Sequence, residues 1–210
     1  MRFADLDAVT VDGYGTLLTL VGPVSRLGDA LAAHGVERSD GQIADAFAAE
    51  ARYYRPRSHL GCDAASLAAL RLECTAVFLE ELAVTLEPAA FADAFVGALE
   101  FELLPGARET LLALRGRGLE LAVVANWDCA LPDHLERVGV ADLFGTIVTS
   151  AEAGVPKPDP AVFRLALGRL GVAPERALHV GDEPADEEGA RAAGLAFAPA
   201  PLATAFLGWT

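Results

Sequence analysis

Four separated points in this sequence place reactive residue types just after short apolar runs. Asp12 ends the run that begins at Ala8 and leads into Gly13-Tyr14-Gly15-Thr16. Asn126 and Asp128 follow the apolar stretch 119–124, and Asp182 follows Gly181, with Asp186 one helical turn further on. Lys157 sits in Gly154-Val155-Pro156-Lys157-Pro158-Asp159-Pro160, where three prolines restrict the backbone. Any one of these residues alone reads as a solvated loop residue or a helix cap, but four at the ends of predicted strands point to one shared site. A carboxylate at Asp12 can attack as a nucleophile and divide one difficult displacement into two easier steps. Lys157, on its stiff loop, supplies a fixed positive charge beside it. Thr16 offers a hydroxyl and an amide to an anion or to the loop itself. Asp182 and Asp12 bring hard oxygen ligands suited to magnesium. Three carboxylates against one ammonium leave an acidic pocket that would repel an anionic substrate, and a divalent cation would reverse that sign.

These groups meet only if the elements behind them form one sheet. The run at residues 8–11 is short, rich in valine and stopped by two nearby glycines, so it reads as a strand and a tight turn. Residues 20–101 change to helical spacing dominated by alanine and leucine, which predicts three or four helices. Their starts are read at Asp40 before residues 42–51, at Asp63 before residues 64–82, and at Pro88 before residues 89–99. After Pro105-Gly106, helices are expected at 107–114, 132–138, 160–170 and 185–193, alternating with strands at 119–124, 146–149, 177–180 and 195–198. Gly118, Gly139, Gly171 and Gly194 fall where helix C-termini need them. Such alternation predicts an α/β fold: a parallel sheet with helices on both faces, interrupted by a helical insertion directly after the first strand. The boundaries are drawn at residues 1–17 and 102–210 for the sheet domain and 18–101 for the insertion. An insertion leaving beside a strand's carboxyl end lies over the region where open parallel sheets bind ligands, so it is placed to act as a lid.

The 210-residue chain is 53% apolar, enough to bury a core without staples. Its 16 basic and 30 acidic residues give a formal charge of -14, which disfavours nucleic acid and anionic membranes as partners. Cys62, Cys74 and Cys129 form no metal or redox spacing and are read as reduced thiols. Residues 1–11 resemble neither a signal peptide nor a span, so the expectation is a cytoplasmic protein, monomeric or homodimeric, acting on a small anionic molecule.

Taken in order, Asp12-Gly13-Tyr14-Gly15-Thr16-Leu17, the strand end at residues 123–128, Lys157-Pro158-Asp159-Pro160 and Gly181-Asp182 resemble the four motifs of the haloacid dehalogenase superfamily. The layout resembles its branch with a small helical C1-type cap. The resemblance implies a Rossmann-like core and Asp12 as nucleophile. It also implies Lys157 stabilising the substrate anion, and Mg2+ held by Asp12, the Tyr14 carbonyl and Asp182, with Asp186 as the second acid of the last motif. Most members are phosphatases working through an aspartyl-phosphate intermediate.

Two positions depart from the phosphatase pattern. The acid usually found two residues after the nucleophile is Tyr14, and a phenol is a poor base at neutral pH. The hydroxyl of the second motif is replaced by Ala125, with Asn126 beside it as a substitute donor. Tyr14 also matches the metal-independent L-2-haloacid dehalogenases, which makes that activity the main alternative, although Gly181-Asp182 favours the phosphatases. A weakly active member that only binds a phosphorylated ligand is the third reading. His59 and Cys129 are candidates for the missing acid. Within the insertion, the stretch Arg52-Tyr53-Tyr54-Arg55-Pro56-Arg57-Ser58-His59 is the most polar and aromatic, and Arg55 is the residue expected to grip the leaving group.

Overall fold

The computed structural model describes residues 3–206. The first two residues of the N-terminal segment and the last four of the 102–210 segment lie outside it. Its sheet has five parallel strands, built from β1 (Ala8–Val11), β4 (Glu120–Ala125), β5 (Thr146–Thr149), β6 (Ala177–Gly181) and β7 (Ala196–Pro199), in the order β5-β4-β1-β6-β7. β1 is central and buried on both faces, as the short unbroken apolar run requires. Val9 and Val11 pack towards α5 (Ala107–Gly116) and α6 (Leu131–Arg137), while Ala8 faces α8 (Ala161–Leu170) and α9 (Pro184–Ala193). Burying each valine- or leucine-sized side chain stabilises such a core by about 1.5–3 kcal/mol.

The chain runs outward from β1 through β4 and β5, then crosses back to β6 and β7 on the other side. The helices change face with that reversal, and the carboxyl end of β1 therefore lies at the switch point where such sheets open a crevice.

Between β1 and α5 stand four helices with a core of their own: α1 (Pro23–Ala33), α2 (Asp40–Tyr54), α3 (Ala64–Glu81) and α4 (Pro88–Ala98). Phe78 stacks on Phe91 at 6.3 Å and lies 5.0 Å from Phe95, joining α3 to α4. Asp63 caps α3 by accepting the Ser66 amide at 2.8 Å, and Pro88 opens α4. α2 starts at Asp40 as its sequence predicts, and Ser39 is its cap: the Ser39 amide donates to Gln42 Oε1 at 3.0 Å, and the Ser39 hydroxyl accepts the Gln42 amide. Asp40, as the first helical residue, carries a charge that suits the helix dipole.

Three short elements carry no signal in the sequence. β2 (Leu18–Leu20) and β3 (Phe101–Leu103) pair antiparallel as a ribbon beneath the helical block, and α7 (Ser150–Ala153) is a single turn after β5. Three or four residues are too short to express a period. None of the described helices is long and apolar enough to cross a membrane, and the three cysteines are unbonded.

Candidate active site

Asp12 leaves the carboxyl end of β1 with only 7% of its surface exposed, its amide donating to Val180 O at 2.9 Å. The next turn depends on Gly15, whose φ of 84° is left-handed and whose missing side chain leaves room for Asp182. A Cβ at Gly15 would stand 2.4 Å from Asp182 Oδ2. Thr16 is fully buried and donates its hydroxyl to Asp182 Oδ1 at 3.1 Å, so it braces the acid and does not line the cavity.

The Lys157 loop reaches the same point from the β5 side. Asn126 clamps that loop through both ends of its amide: Nδ2 donates to Lys157 O at 3.1 Å and Oδ1 accepts the Lys157 amide at 2.7 Å. Lys157 Nζ is thereby placed to donate to Asp12 Oδ1, to Val124 O at 3.0 Å and to Asp186 Oδ1 at 2.5 Å. Burial alone would push this ammonium down, but the carboxylates of Asp12 and Asp186 outweigh it and hold Lys157 charged.

Asp186, on the first turn of α9, is occupied on both oxygens. Oδ1 also accepts from His179 Nε2 at 3.1 Å, and Oδ2 accepts the Glu183 amide at 3.0 Å. Burial raises the acid, yet the His179 hydrogen bond and the Lys157 charge prevail and keep Asp186 below the ordinary carboxylate range. His179 is wholly buried in β6, held as a neutral ring chiefly by burial, and its Nδ1 meets Thr10 Oγ1 at 2.8 Å. Asp12 receives less help: burial and the neighbouring Asp186 raise its pKa to about 7 against the pull of Lys157.

Asp12, Asp182 and Asp186 bring one carboxylate oxygen each within 4.8 Å of one another. Three hard oxygen donors so close together, with Lys157 as the one ammonium among them, fit a small divalent cation.

The rim opens into a cavity of about 250 Å³ roofed by the helical block. Ala125 contributes only a methyl group there, and Tyr14, 42% exposed, stands at the edge without a side-chain hydrogen bond among the described residues. Arg55 also lines the cavity, but its guanidinium pairs with Glu183 at 2.9 Å on the exposed outer side. Arg57 instead turns back onto the Tyr53 ring, 4.0 Å away, and takes no part in the lining. Neither His59 nor Cys129 lines the cavity.

The block is closed onto the core by further contacts. Tyr54 donates to Asp128 Oδ2 at 2.7 Å, and the Cys129 amide donates to Gly61 O at 2.9 Å. The sequence reading missed Glu50 and Arg71 in the roof and His179 behind Asp186. One signal was present: Glu50 and Arg71 interrupt apolar helical stripes, 43/46/47/50 and 67/70/71/74, where a charge has no structural reason to be.

A family model described as haloacid dehalogenase-like hydrolase matches residues 6–194. The chain belongs to the haloacid dehalogenase-like hydrolases. It is 47% identical over 96 residues to haloacid dehalogenase-like hydrolase domain-containing protein 3 of Bos taurus, covering 45% of this chain and 38% of that protein. It is 44% identical over 100 residues to a phosphoserine phosphatase of Thermus thermophilus, covering 45% of this chain and 39% of the relative. The matched region therefore spans well under half of those relatives. The fold is similar to L-2-haloacid dehalogenase from Xanthobacter autotrophicus, with a TM-score of 0.71 at 24% identity, covering 96% of this chain and 81% of that one. As a haloacid dehalogenase-like hydrolase with phosphatases among its relatives, the chain has its α/β sheet and its acidic cluster in one coherent arrangement.

Proposed function

We propose that this hydrolase is a magnesium-dependent phosphatase of the branch with a small C1-type cap, acting on a small phosphorylated metabolite. The observation that carries the reading is the Asp12–Lys157–Asp186 cluster at the carboxyl end of the central strand, with Asp182 beside it. Asp12 attacks phosphorus, the bond to the leaving oxygen breaks, and water hydrolyses the resulting aspartyl phosphate to regenerate the carboxylate. Lys157 stays charged throughout and offsets the negative charge that develops on the phosphoryl oxygens. Asp12, Asp182, Asp186 and the Tyr14 carbonyl would hold Mg2+, which when bound neutralises the acidic excess and polarises a phosphoryl oxygen. Asn126 acts mainly by fixing the Lys157 loop, and its spare amide hydrogen can face the substrate. Residues 18–101 serve as the cap that keeps water from the reacting centre, and residues 1–17 and 102–210 form the catalytic domain. With no acid at position 14, turnover should be slower than in relatives that carry one. An acidic chain with unbonded cysteines suits the cytoplasm.

Tyr14 favours one other reading, a metal-independent L-2-haloacid dehalogenase in which Asp12 displaces halide from carbon. One experiment separates the two: phosphate release from 4-nitrophenyl phosphate with magnesium or EDTA, beside chloride release from L-2-chloropropionate, for wild type and Asp12→Asn. Magnesium-dependent phosphate release lost in the variant supports the phosphatase. Chloride release in EDTA installs the dehalogenase, and silence in both leaves the weakly active ligand-binding reading.

A further inference from the structure

Most charges that line the cavity already have partners. Lys157 is taken by Asp12 and Asp186, Arg55 by Glu183, and Asp128 by the Tyr54 hydroxyl. Arg71 differs. It lies on α3 between Leu70 and Cys74, half-buried, and its guanidinium makes no ion pair or hydrogen bond among the described residues.

A guanidinium partly withdrawn from water in an apolar wall loses hydration that only an anion or several acceptors can restore. In a chain of formal charge -14, carboxylates are plentiful, and Glu50 and Asp128 line the same cavity, yet none among the described residues forms an ion pair with this cation. Leu67, Leu70, Phe95 and Leu99 make the surrounding lining apolar. The cavity lining thus combines Lys157 beside Asp12, a set of apolar side chains, and in the roof the buried Glu50 and a second cation at Arg71. Its volume of about 250 Å³ falls below the span of ~300–1,000 Å³ usual for drug-sized ligands, which restricts the occupant to a small molecule.

The geometry points to Arg71 as the recognition residue for a second anionic group on the leaving group. The substrate class is a small phosphate monoester with an apolar body ending in a carboxylate or another phosphate. This rests on the phosphatase reading for its reaction but not for its binding. The planar guanidinium suits either anion, because both accept two parallel N–H donors.

The test compares phenyl phosphate, 4-carboxyphenyl phosphate and 1,4-phenylene bisphosphate as substrates of wild type, Arg71→Ala and Arg71→Lys. In parallel, calorimetry on Asp12→Asn, with and without Arg71→Ala, measures binding of benzylphosphonate and its 4-carboxy and 4-phosphono derivatives. A charge-assisted contact predicts that the second anion raises kcat/KM, and the binding constant, by roughly 10- to 100-fold in proteins that keep Arg71. Arg71→Ala should bring the ratio to near one, and Arg71→Lys should restore part of it. A folding defect would lower all substrates together and leave the ratio intact. Gain from the carboxylate alone or the phosphate alone identifies which anion is read. If turnover is absent for all three esters but binding still discriminates through Arg71, the phosphatase reading fails and the anion site stands. Equal affinity for plain and doubly anionic ligands, or no binding of either, overturns the proposal.

Discussion

At the sheet rim, the charged groups neutralise one another at hydrogen-bond distance: Lys157 is shared between Asp12 and Asp186, and Asp186 is further held by His179 and the Glu183 amide. Across the cavity, the helical roof is apolar, with Glu50 buried and Arg71 unpaired within it. The rim is a preorganised polar network whose members fix one another's positions, which suits a group that must be in place before reaction. The roof has little internal polar satisfaction: Glu50 is confined beside Cys74, and Arg71 makes no ion pair among the described residues. The two regions have separate cores, so if chemistry and selection divide between them as proposed, a change on one side should leave the other's property standing.

The largest effect should come from the rim. Asp12→Asn is expected to reduce hydrolysis by about 1,000-fold or more while the far-ultraviolet dichroism stays unchanged. A variant retaining a tenth of the activity would break the comparison, because the nucleophile would lie elsewhere. Lys157→Met strands two buried carboxylates, and urea unfolding should register a loss of roughly 3–5 kcal/mol.

Glu50 sharpens the contrast from the roof side. Burial raises its pKa from 4.5 to about 7, with the Cys74 hydrogen bond only partly opposing. Below pH ~4.5 the group is protonated folded or unfolded and costs nothing. As pH rises to about 7 only the unfolded chain ionises freely, so the fold loses stability, by roughly 3 kcal/mol at about 1.4 kcal/mol per decade. Glu50→Gln should therefore stabilise the protein by about that amount at pH 8 and leave it unchanged at pH 4; a pH-independent difference would mean that the carboxyl is not confined as described.

Smaller still is Tyr54→Phe, which removes the hydroxyl bound to Asp128 and should cost about 1 kcal/mol, with faster amide exchange at the end of α2. Unaltered exchange would show that this contact does not hold the roof down. Arg55→Ala, whose pair with Glu183 has side chains 60% and 51% exposed, should change stability by less than ~1 kcal/mol.

The rim was legible in the sequence because strand ends are local features. A valine-rich run stopped by Gly13 and Gly15, and a lysine among three prolines, announce their positions within a few residues. Parallel pairing then delivers all such ends to one edge, so Asp12, Asn126, Lys157, Asp182 and Asp186 converge as their spacing predicted. The particular tasks of Asn126 and Thr16 were not legible, since a side chain that braces a loop and one that touches a ligand have the same spacing. Arg55 illustrates the same limit: the polar stretch at 52–59 is real, but only the packing of the end of α2 and of the 3-10 turn after it (Arg55–Leu60) sends Tyr54 and Arg55 to the cavity and Arg57 back onto Tyr53.

The longer elements, their alternation and the chemical character of the sheet's carboxyl edge are thus legible in the sequence, because hydrophobic period, proline and glycine act over a handful of residues. Only the tertiary structure sets His179 behind Asp186, seals Glu50 in the roof, and leaves Arg71 at the cavity without an ion pair among the described residues. A helical stripe specifies which face is buried but not what it is buried against. That partner is chosen by contacts between residues far apart in the chain, whose distances no local pattern encodes.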